Sequence, residues 1–420
     1  MMRPTRNGAQ LITNTQGSAP GTGPQPADFT DVRATNLAVV LRFVRENAPC
    51  SRADIAASTG LNKATVSSLV ADLIDRRLLR ETGLTENRVG RPATMLVLDG
   101  SPYAAVGIEV NVDYLTAVAV DLKGEALLSW RRAFPGGSAS SGQAVAGIAG
   151  VARRVVTRMT KEARQVLGLT VAVPGLVDLN GSVRLAPNMG WRDVDLAGDL
   201  AKALRDPGFP VLADNDANLG ALAELRFGPH GGVRDLVYLT GEIGVGAGIV
   251  LDGRLRRGGA GFSGEIGHIE IVPGGPPCHC GRRGCLEVVA GLGALLDRTV
   301  PGGVSPAELE PEIDEVVQRA EAGDPVVLDL LDTLAGNLGR GVGIVANLLN
   351  PEVVVLGGYY VKLAPWILAR AEREMLGRSL APAGGGCRLV VSGLGYGAAA
   401  LGAAARVLDS VDSGRLPAPA

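Results

Sequence analysis

The chain is poor in the side chains that most often announce a function. Its 420 residues include three histidines and five cysteines, and aromatic residues make up 4%. An odd cysteine count with no secretory leader does not read as a disulfide-stapled scaffold. The opening residues, MMRPTRNGAQ, lack the apolar core of a signal peptide. No run of about 18 or more uncharged apolar residues is present, so no membrane-spanning helix is expected. These absences are read as a cytoplasmic location. A formal net charge of −2 gives no general attraction for nucleic acid, so any DNA contact must come from a local basic surface. What is abundant is apolar side chain, 46% of the total, in a chain long enough for two or three domains with large cores.

The scarce cysteines are clustered. Cys278, Cys280 and Cys285 fall in the stretch Ser263 to Glu287, SGEIGHIEIVPGGPPCHCGRRGCLE, with His268 upstream. One imidazole and three thiolates fill a tetrahedron around borderline-soft Zn²⁺. Cys278 and Cys280 flank one residue, so one loop delivers both. Gly281 and Gly284 let the backbone fold back to Cys285, and Gly274, Gly275, Pro276 and Pro277 make the approach a loop. A disulfide, three buried thiols or a catalytic thiol are the alternatives. Three adjacent sulfurs in a reducing compartment suit a shared cation better. A structural zinc site of His268, Cys278, Cys280 and Cys285 is therefore expected.

Upstream, residues 1–29 are rich in Gly, Pro, Thr, Gln and Asn and read as a disordered tail. Residues 30–98 read as a winged helix-turn-helix. Leu37, Val40, Leu41 and Val44 form a helical stripe over Thr35 to Glu46. Ser51-Arg52-Ala53-Asp54 resembles a capping box for a short helix that stops at Gly60. A recognition helix then runs from Asn62 to Asp75, with Val66, Leu69, Val70, Leu73 and Ile74 on one face. Its exposed face offers Lys63, Thr65, Ser67 and Ser68 to base edges and phosphates, and Arg52 and Asn62 join this set. Leu78 to Leu98 reads as a wing whose loop carries Arg88 and Arg91 toward a minor groove. A helical interaction domain is the alternative. Helix, turn, helix and basic wing in order favour DNA.

The run GEIGHIEI from Gly264, followed by CHCGRRGCLE, resembles the ROK family of repressors, open reading frames and sugar kinases. The resemblance covers roughly residues 101–410. With the amino-terminal module it points to the repressor branch, of the xylose and N-acetylglucosamine repressor types. It implies a two-lobed actin/hexokinase-like (RNase H-like) fold with a cleft. The residue pattern alone gives only α/β: strands over Tyr103 to Glu109 and Leu115 to Val120, a helix over Ala144 to Val166, a buried strand over Gly168 to Val173.

The resemblance also implies site residues. Asn215 and Asp216 would grip a sugar, with Asp216 the general base in a kinase. An amide beside a carboxylate can donate to and accept from neighbouring hydroxyls. The plain alternative is an Asx cap of the following helix, preferred for Asn218. Gly175, Asn188, Glu265, His268 and Glu287 complete the implied sugar pocket. If zinc takes one ring nitrogen of His268, the other carries a proton for a sugar hydroxyl. Zinc would then organise recognition, since four protein ligands leave no open position.

Kinases of the family carry an Asp-x-Gly-Gly-Thr loop after the first strand and a later Gly-Thr-Gly. Here Glu109-Val110-Asn111-Val112-Asp113 and Glu242-Ile243-Gly244 stand in their places. The close backbone approach over glycine is lost, and added carboxylates repel phosphate. Val353 to Gly358 keeps the adenosine-side strand without implying a nucleotide. The expected function is a sugar-responsive regulator, a repressor, binding double-stranded operator DNA as a homodimer or homotetramer. An ATP-dependent sugar kinase with a DNA-binding appendage is the runner-up. A third reading makes the sugar lobe a dimerisation scaffold. Val316 to Ala322, Val326 to Leu349, Leu389 to Val391 and Ala398 to Leu408 read as scaffold, ahead of a frayed tail over 411–420.

Overall fold

The computed structural model describes residues 29–84, 94–230, 232–299, 309–380 and 386–417. The expected tail 1–29, save its last residue, lies outside them, as do Arg88 and Arg91. Chain order begins with α1 (Phe29–Asn47), β1 (Cys50–Ser51), α2 (Arg52–Thr59), α3 (Lys63–Asp75), β2 (Leu79–Leu84) and β3 (Thr94–Leu98). Local chemistry sets these boundaries. The Ser51 hydroxyl caps α2 while the Asp54 carboxylate accepts from the Ser51 N–H, so Asp serves where Glu is usual. Gly60 stops the helix at φ 73°, a left-handed conformation that glycine adopts without a Cβ clash. Asn62 Oδ1 accepts from Thr65 N and starts α3. The strands pair in the order β1-β3-β2, which completes the winged helix-turn-helix.

Two five-stranded sheets follow. The first lobe contains β4 (Tyr103–Val110), β5 (Tyr114–Val120), β6 (Ala126–Ala133), α4 (Ser141–Lys161) and β7 (Gln165–Val173). A small antiparallel sheet of β8 (Leu176–Val177), β9 (Val183–Ala186) and β10 (Trp191–Val194) precedes α5 (Leu196–Ala203) and β11 (Val211–Asn215). The second lobe contains α6 (Asp216–Phe227), β12 (Leu236–Gly241), β13 (Val245–Leu251), β14 (Arg254–Leu255), α7 (Leu286–Ala290), α8 (Leu292–Thr299), α9 (Leu309–Glu321) and α10 (Pro325–Leu349). It ends with β15 (Val353–Gly358), α11 (Tyr360–Leu376), β16 (Arg388–Val391) and α12 (Ala398–Asp412). The sheet orders are β11-β7-β4-β5-β6 and β14-β13-β12-β15-β16. Each has three antiparallel strands followed by two parallel ones. This repeated plan is the actin/hexokinase-like architecture.

Three expectations are corrected. The helix placed over Ala144 to Val166 runs from Ser141 to Lys161; Ala163 takes φ 55°, which ends it, and Gln165 already belongs to β7. The helix placed over Val316 to Ala322 begins at Leu309. The tail expected to fray from residue 411 is packed: α12 continues to Asp412, Val411 and Asp412 are buried, and Arg76 Nη1 donates to Pro417 O at 2.6 Å. The last three residues of that tail lie outside the described residues.

Helix α12 is the strut of the molecule. Its alanines allow close approach on both sides. A Cβ on Gly107 of β4 would lie 1.9 Å from Ala400 O, and one on Gly402 would lie 1.7 Å from Leu219 O of α6. The winged helix-turn-helix shares a core with this strut and the first sheet. Leu37, Leu41, Ile55, Leu69 and Leu96 pack with Tyr103, Val118, Ala404 and Leu408. Polar groups pin the same junction. Arg45 of α1 pairs with Asp412 at 2.7 Å, and Arg226 of α6 pairs with Asp409 at 2.6 Å and Asp412 at 3.0 Å.

Candidate functional site

The loop following β14 gathers the four sulfur and imidazole ligands. The candidate ligand atoms of His268, Cys278, Cys280 and Cys285 all lie within 4.8 Å of one another. Cys278 Sγ is 3.7 Å from His268 Nδ1, and Cys280 Sγ is 3.7 Å from Cys285 Sγ. A tetrahedron with metal–sulfur bonds of about 2.3 Å has edges of about 3.8 Å, so the four can hold one metal ion. The turn demands glycine: Gly284 sits at φ 67°, and a Cβ there would lie 1.8 Å from Val272 O. His268 directs Nδ1 at the sulfurs and leaves Nε2 3.9 Å from Glu265 Oε2. Glu287 opens α7 two residues past Cys285, with Oε1 3.2 Å from Cys278 Sγ.

This loop forms one wall of a cavity of about 690 Å³ between the lobes. Gly175, Asn188, Asn215, Asp216, Glu265, His268 and Glu287 all line it. Asn215 and Asp216 stand where β11 turns into α6. Asn215 Oδ1 caps the helix by accepting from Asn218 N at 2.9 Å, and its Nδ2 donates to Gly175 O and Asp216 Oδ1, both at 3.0 Å. The Asx cap is thus made by Asn215, not Asn218, because Asn215 alone has the extended backbone that precedes the first turn. Asp216 Oδ1 accepts from Ala217 N at 2.8 Å. Burial pushes the Asp216 carboxyl up to about 6, against the pull of its backbone hydrogen bonds. Glu265 is pushed up to about 7 by burial and then by the charges of Asp216 and Glu287.

Thr240, Glu242, Glu270, His279 and Arg282 also line the cavity and were not expected there. His279 and Arg282 lie inside the cysteine motif, where their spacing from the ligands was the available signal. From sequence, Glu242 stands only as an obstacle to phosphate.

On the side of the β4–β5 turn the cleft is filled by the protein itself. Asn111 Oδ1 accepts from Val112 N at 2.8 Å, and Asn111 N donates to Tyr114 O at 2.9 Å. Tyr114 OH donates to Glu109 Oε1 at 2.7 Å. The Arg131 guanidinium lies 3.9 Å from the Tyr114 ring centroid and 5.0 Å from that of Tyr396. A space of about 10 Å³ remains, lined by Glu109, Asp216, Thr240, Glu242 and Tyr396 among others. Burial pushes Glu109 up to about 7, partly opposed by the Tyr114 hydrogen bond.

On the module, Asn62, Lys63, Ser67 and Ser68 are exposed along α3 and Thr65 is half-buried. Ser67 Oγ donates to Lys63 O at 2.9 Å. Arg52 Nη2 pairs with Glu81 Oε1 of β2 at 2.8 Å, so it braces the wing while only partly exposed. No helix among the described residues is long and apolar enough to cross a membrane.

The sequence model of the ROK family matches residues 105–410. The chain belongs to the ROK family. A second model, the MarR family, matches residues 38–87, over the helix-turn-helix. The xylose repressor of Bacillus subtilis (strain 168) is 32% identical over 383 residues, covering 91% of this chain and 97% of that protein. The DNA-binding transcriptional dual regulator NagC of Escherichia coli (strain K12) is 28% identical over 345 residues, covering 81% and 84%. Among solved structures, a ROK family transcriptional regulator homologous to the E. coli MLC protein superposes with a TM-score of 0.78 at 29% identity, covering 92% of this chain and 98% of its own. A ROK family glucokinase from Streptomyces griseus, in complex with glucose and AMPPNP, superposes with a TM-score of 0.60 at 27% identity, covering 72% and 98%.

Proposed function

We propose that this ROK protein is a sugar-responsive transcriptional repressor in which occupancy of the inter-lobe cavity alters the grip of the winged helix-turn-helix on operator DNA. The observation that carries the reading is the route between the two sites. Asn215 and Asp216 form the first turn of α6, and the last turn of α6 carries Arg226. Arg226 meets Asp409 and Asp412 on α12, and Asp412 meets Arg45 on α1. A sugar that draws on Asn215 and Asp216 while touching the opposite wall at Glu265, His268 and Glu287 prefers one spacing of the lobes. Such a ligand shifts the population toward that spacing, and α6 and α12 carry the shift to α1. Lys63, Thr65, Ser67, Ser68 and Asn62 are the proposed contacts to bases and phosphates, with Arg52, Arg88 and Arg91 on the flanks. Two modules in a homodimer or homotetramer would read a palindromic operator.

His268, Cys278, Cys280 and Cys285 would hold a structural zinc ion, which supplies a fixed crosslink for the loop. With Nδ1 directed at the sulfurs, Nε2 carries the proton and donates into the cavity. Glu265 and Glu287 accept from hydroxyls, and Asn215 both donates and accepts. The kinase reading is not favoured. The β4–β5 turn satisfies its own N–H groups, and Glu109, Asp113 and Glu242 place carboxyls where a phosphoryl donor would lie. The test is fluorescence anisotropy of an operator duplex obtained by in vitro selection, titrated with a panel of hexoses and pentoses. Release by at least one sugar, absent in Asp216→Ala, is expected. Indifference of both proteins to every sugar would remove the reading.

A further inference from the structure

Strand β6 is an outer strand of the first sheet and pairs with β5 alone among the described residues. Of the outer strands of the two large sheets it is the longest, with eight residues against five in β11, two in β14 and four in β16. An unpaired edge of that length offers a row of backbone donors and acceptors to another chain. The pairing also fixes which side chains flank it. Leu128, Trp130 and Arg132 stand opposite Ala119, Ala117 and Leu115, which pack in one core with α4. Leu128 and Trp130 thus meet Val151, Arg154, Val155 and Arg158 of α4 around a groove of about 230 Å³. The groove has an apolar floor and a basic rim. Arg153, Arg154, Arg158 and Lys161 are all exposed along α4, and neither α4 nor β6 contains an acidic residue. Glu162 pairs with Arg158 at 3.0 Å, while Arg154 and Lys161 have no carboxylate partner among the described residues. In a chain of formal net charge −2, this is a local patch of one sign.

We propose that the β6 edge and the α4 groove form a docking site for an extended, acidic segment of a partner protein, which adds to the first sheet as a further strand. Backbone hydrogen bonds to β6 hold the segment, and every second side chain turns toward α4. An apolar side chain there enters between Leu128, Trp130, Val151 and Val155, and a carboxylate there reaches Arg154 or Arg158. A second copy of this chain fits poorly, because pairing β6 with its symmetry mate sets one basic rim against the other. Operator DNA is disfavoured by position. The winged helix-turn-helix packs on the opposite face of the sheet, through Val118 and Val120, so a duplex held by α3 lies away from α4. The groove shares no lining residue with the inter-lobe cavity, so the proposal stands apart from the sugar-effector reading.

The test is fluorescence anisotropy of a capped, labelled peptide of about ten residues, valine and isoleucine between flanking glutamates, titrated with the full-length protein at low salt. Saturable binding is expected, and added salt should weaken it. The double variant Arg154→Glu, Arg158→Glu should lose affinity by on the order of 10-fold or more, and both changed side chains are exposed, so the core is left intact. A peptide N-methylated at every residue cannot donate to β6 and should also bind more weakly by on the order of 10-fold or more. Hydrogen exchange of the amides in 126–133 should slow when the unmethylated peptide is bound. Equal binding of a peptide with lysine in place of glutamate, or unchanged affinity in the double variant, overturns the proposal. So does a Kd for the acidic peptide above about 1 mM. A random-sequence DNA duplex that binds in place of the peptide and is lost in the double variant overturns it in favour of nucleic acid. A dimer seen by ultracentrifugation and dissolved by the double variant overturns it in favour of a second copy.

Discussion

Replacing Asp412 with alanine severs the polar joint between the DNA-binding module and the lobes. Asp412 is 8% exposed. Its Oδ1 accepts from Arg45 Nε at 3.1 Å and Nη2 at 2.7 Å, and its Oδ2 accepts from Arg226 Nη2 at 3.0 Å. Removing one partner of a buried ion pair costs about 3–5 kcal/mol, because the remaining charge stays desolvated. Here each arginine keeps one acceptor, Arg45 the carbonyl of Leu122 and Arg226 the carboxylate of Asp409. The side chains are also 12–17% exposed, so the lower end, about 3 kcal/mol, is expected. The loss falls on the joint, far from the cavity. Urea unfolding followed on the module and on the lobes should therefore separate into two transitions, the module first. Sugar affinity should stay close to that of the parent protein. The sugar-dependent change in operator affinity should shrink by about half or more of a typical coupling of ~1–3 kcal/mol. Asp412→Asn, which keeps hydrogen-bond acceptance, should fall between. A single transition at the parental midpoint together with an undiminished sugar effect would refute the reasoning.

Four further outcomes are expected. Cys285→Ser should abolish metal content, measured by elemental analysis, and weaken sugar binding by about 10–100-fold; full affinity in the metal-free protein would contradict this. The raised carboxyls give a signed pH dependence. Glu109 at about 7 and Asp216 at about 6 stabilise the fold as neutral acids, so their contribution is complete below about pH 4 and is lost as pH rises through 6 to 7. Glu109→Gln should therefore gain stability relative to the parent between pH 5 and 8, by on the order of 3 kcal/mol in urea titrations, and a pH-independent difference would count against it. Lys63→Ala should weaken operator binding evenly across sequences and lower the log–log salt slope by about 1. A coupled ATPase assay with each sugar that binds should show no turnover, and turnover at kinase-like rates would revive the runner-up function.

What was legible in the sequence was what its residues announce locally. Ser51, Asp54, Gly60 and Asn62 mark helix ends through their own side chains or φ, so the helix-turn-helix could be placed almost to the residue. The cysteine cluster was legible because a single loop carries three of its ligands. The seven cavity residues came through the family motif, and the fold brings them together from five separate segments. Long-range assembly was not legible. Arg131 of β6 and Tyr114 of the neighbouring β5 are joined by Tyr396 from a turn far along the chain, and nothing in the sequence around Tyr396 foretells its part in a stacked guanidinium. The end of α4 was misplaced because Ala163, an ordinary helix former, takes a left-handed conformation imposed by the entry of β7. Residues 411–417 looked like a loose end because their partners, Arg45 and Arg76, lie more than three hundred residues away.

The central claim is that a sugar in the inter-lobe cavity is felt at the operator. Its most direct test is anisotropy of a labelled operator duplex bound by the zinc-loaded protein and titrated with a sugar already shown by calorimetry to bind. A saturable change in operator affinity is expected at the sugar concentrations that fill the cavity. Operator affinity that stays constant while the cavity fills would contradict it.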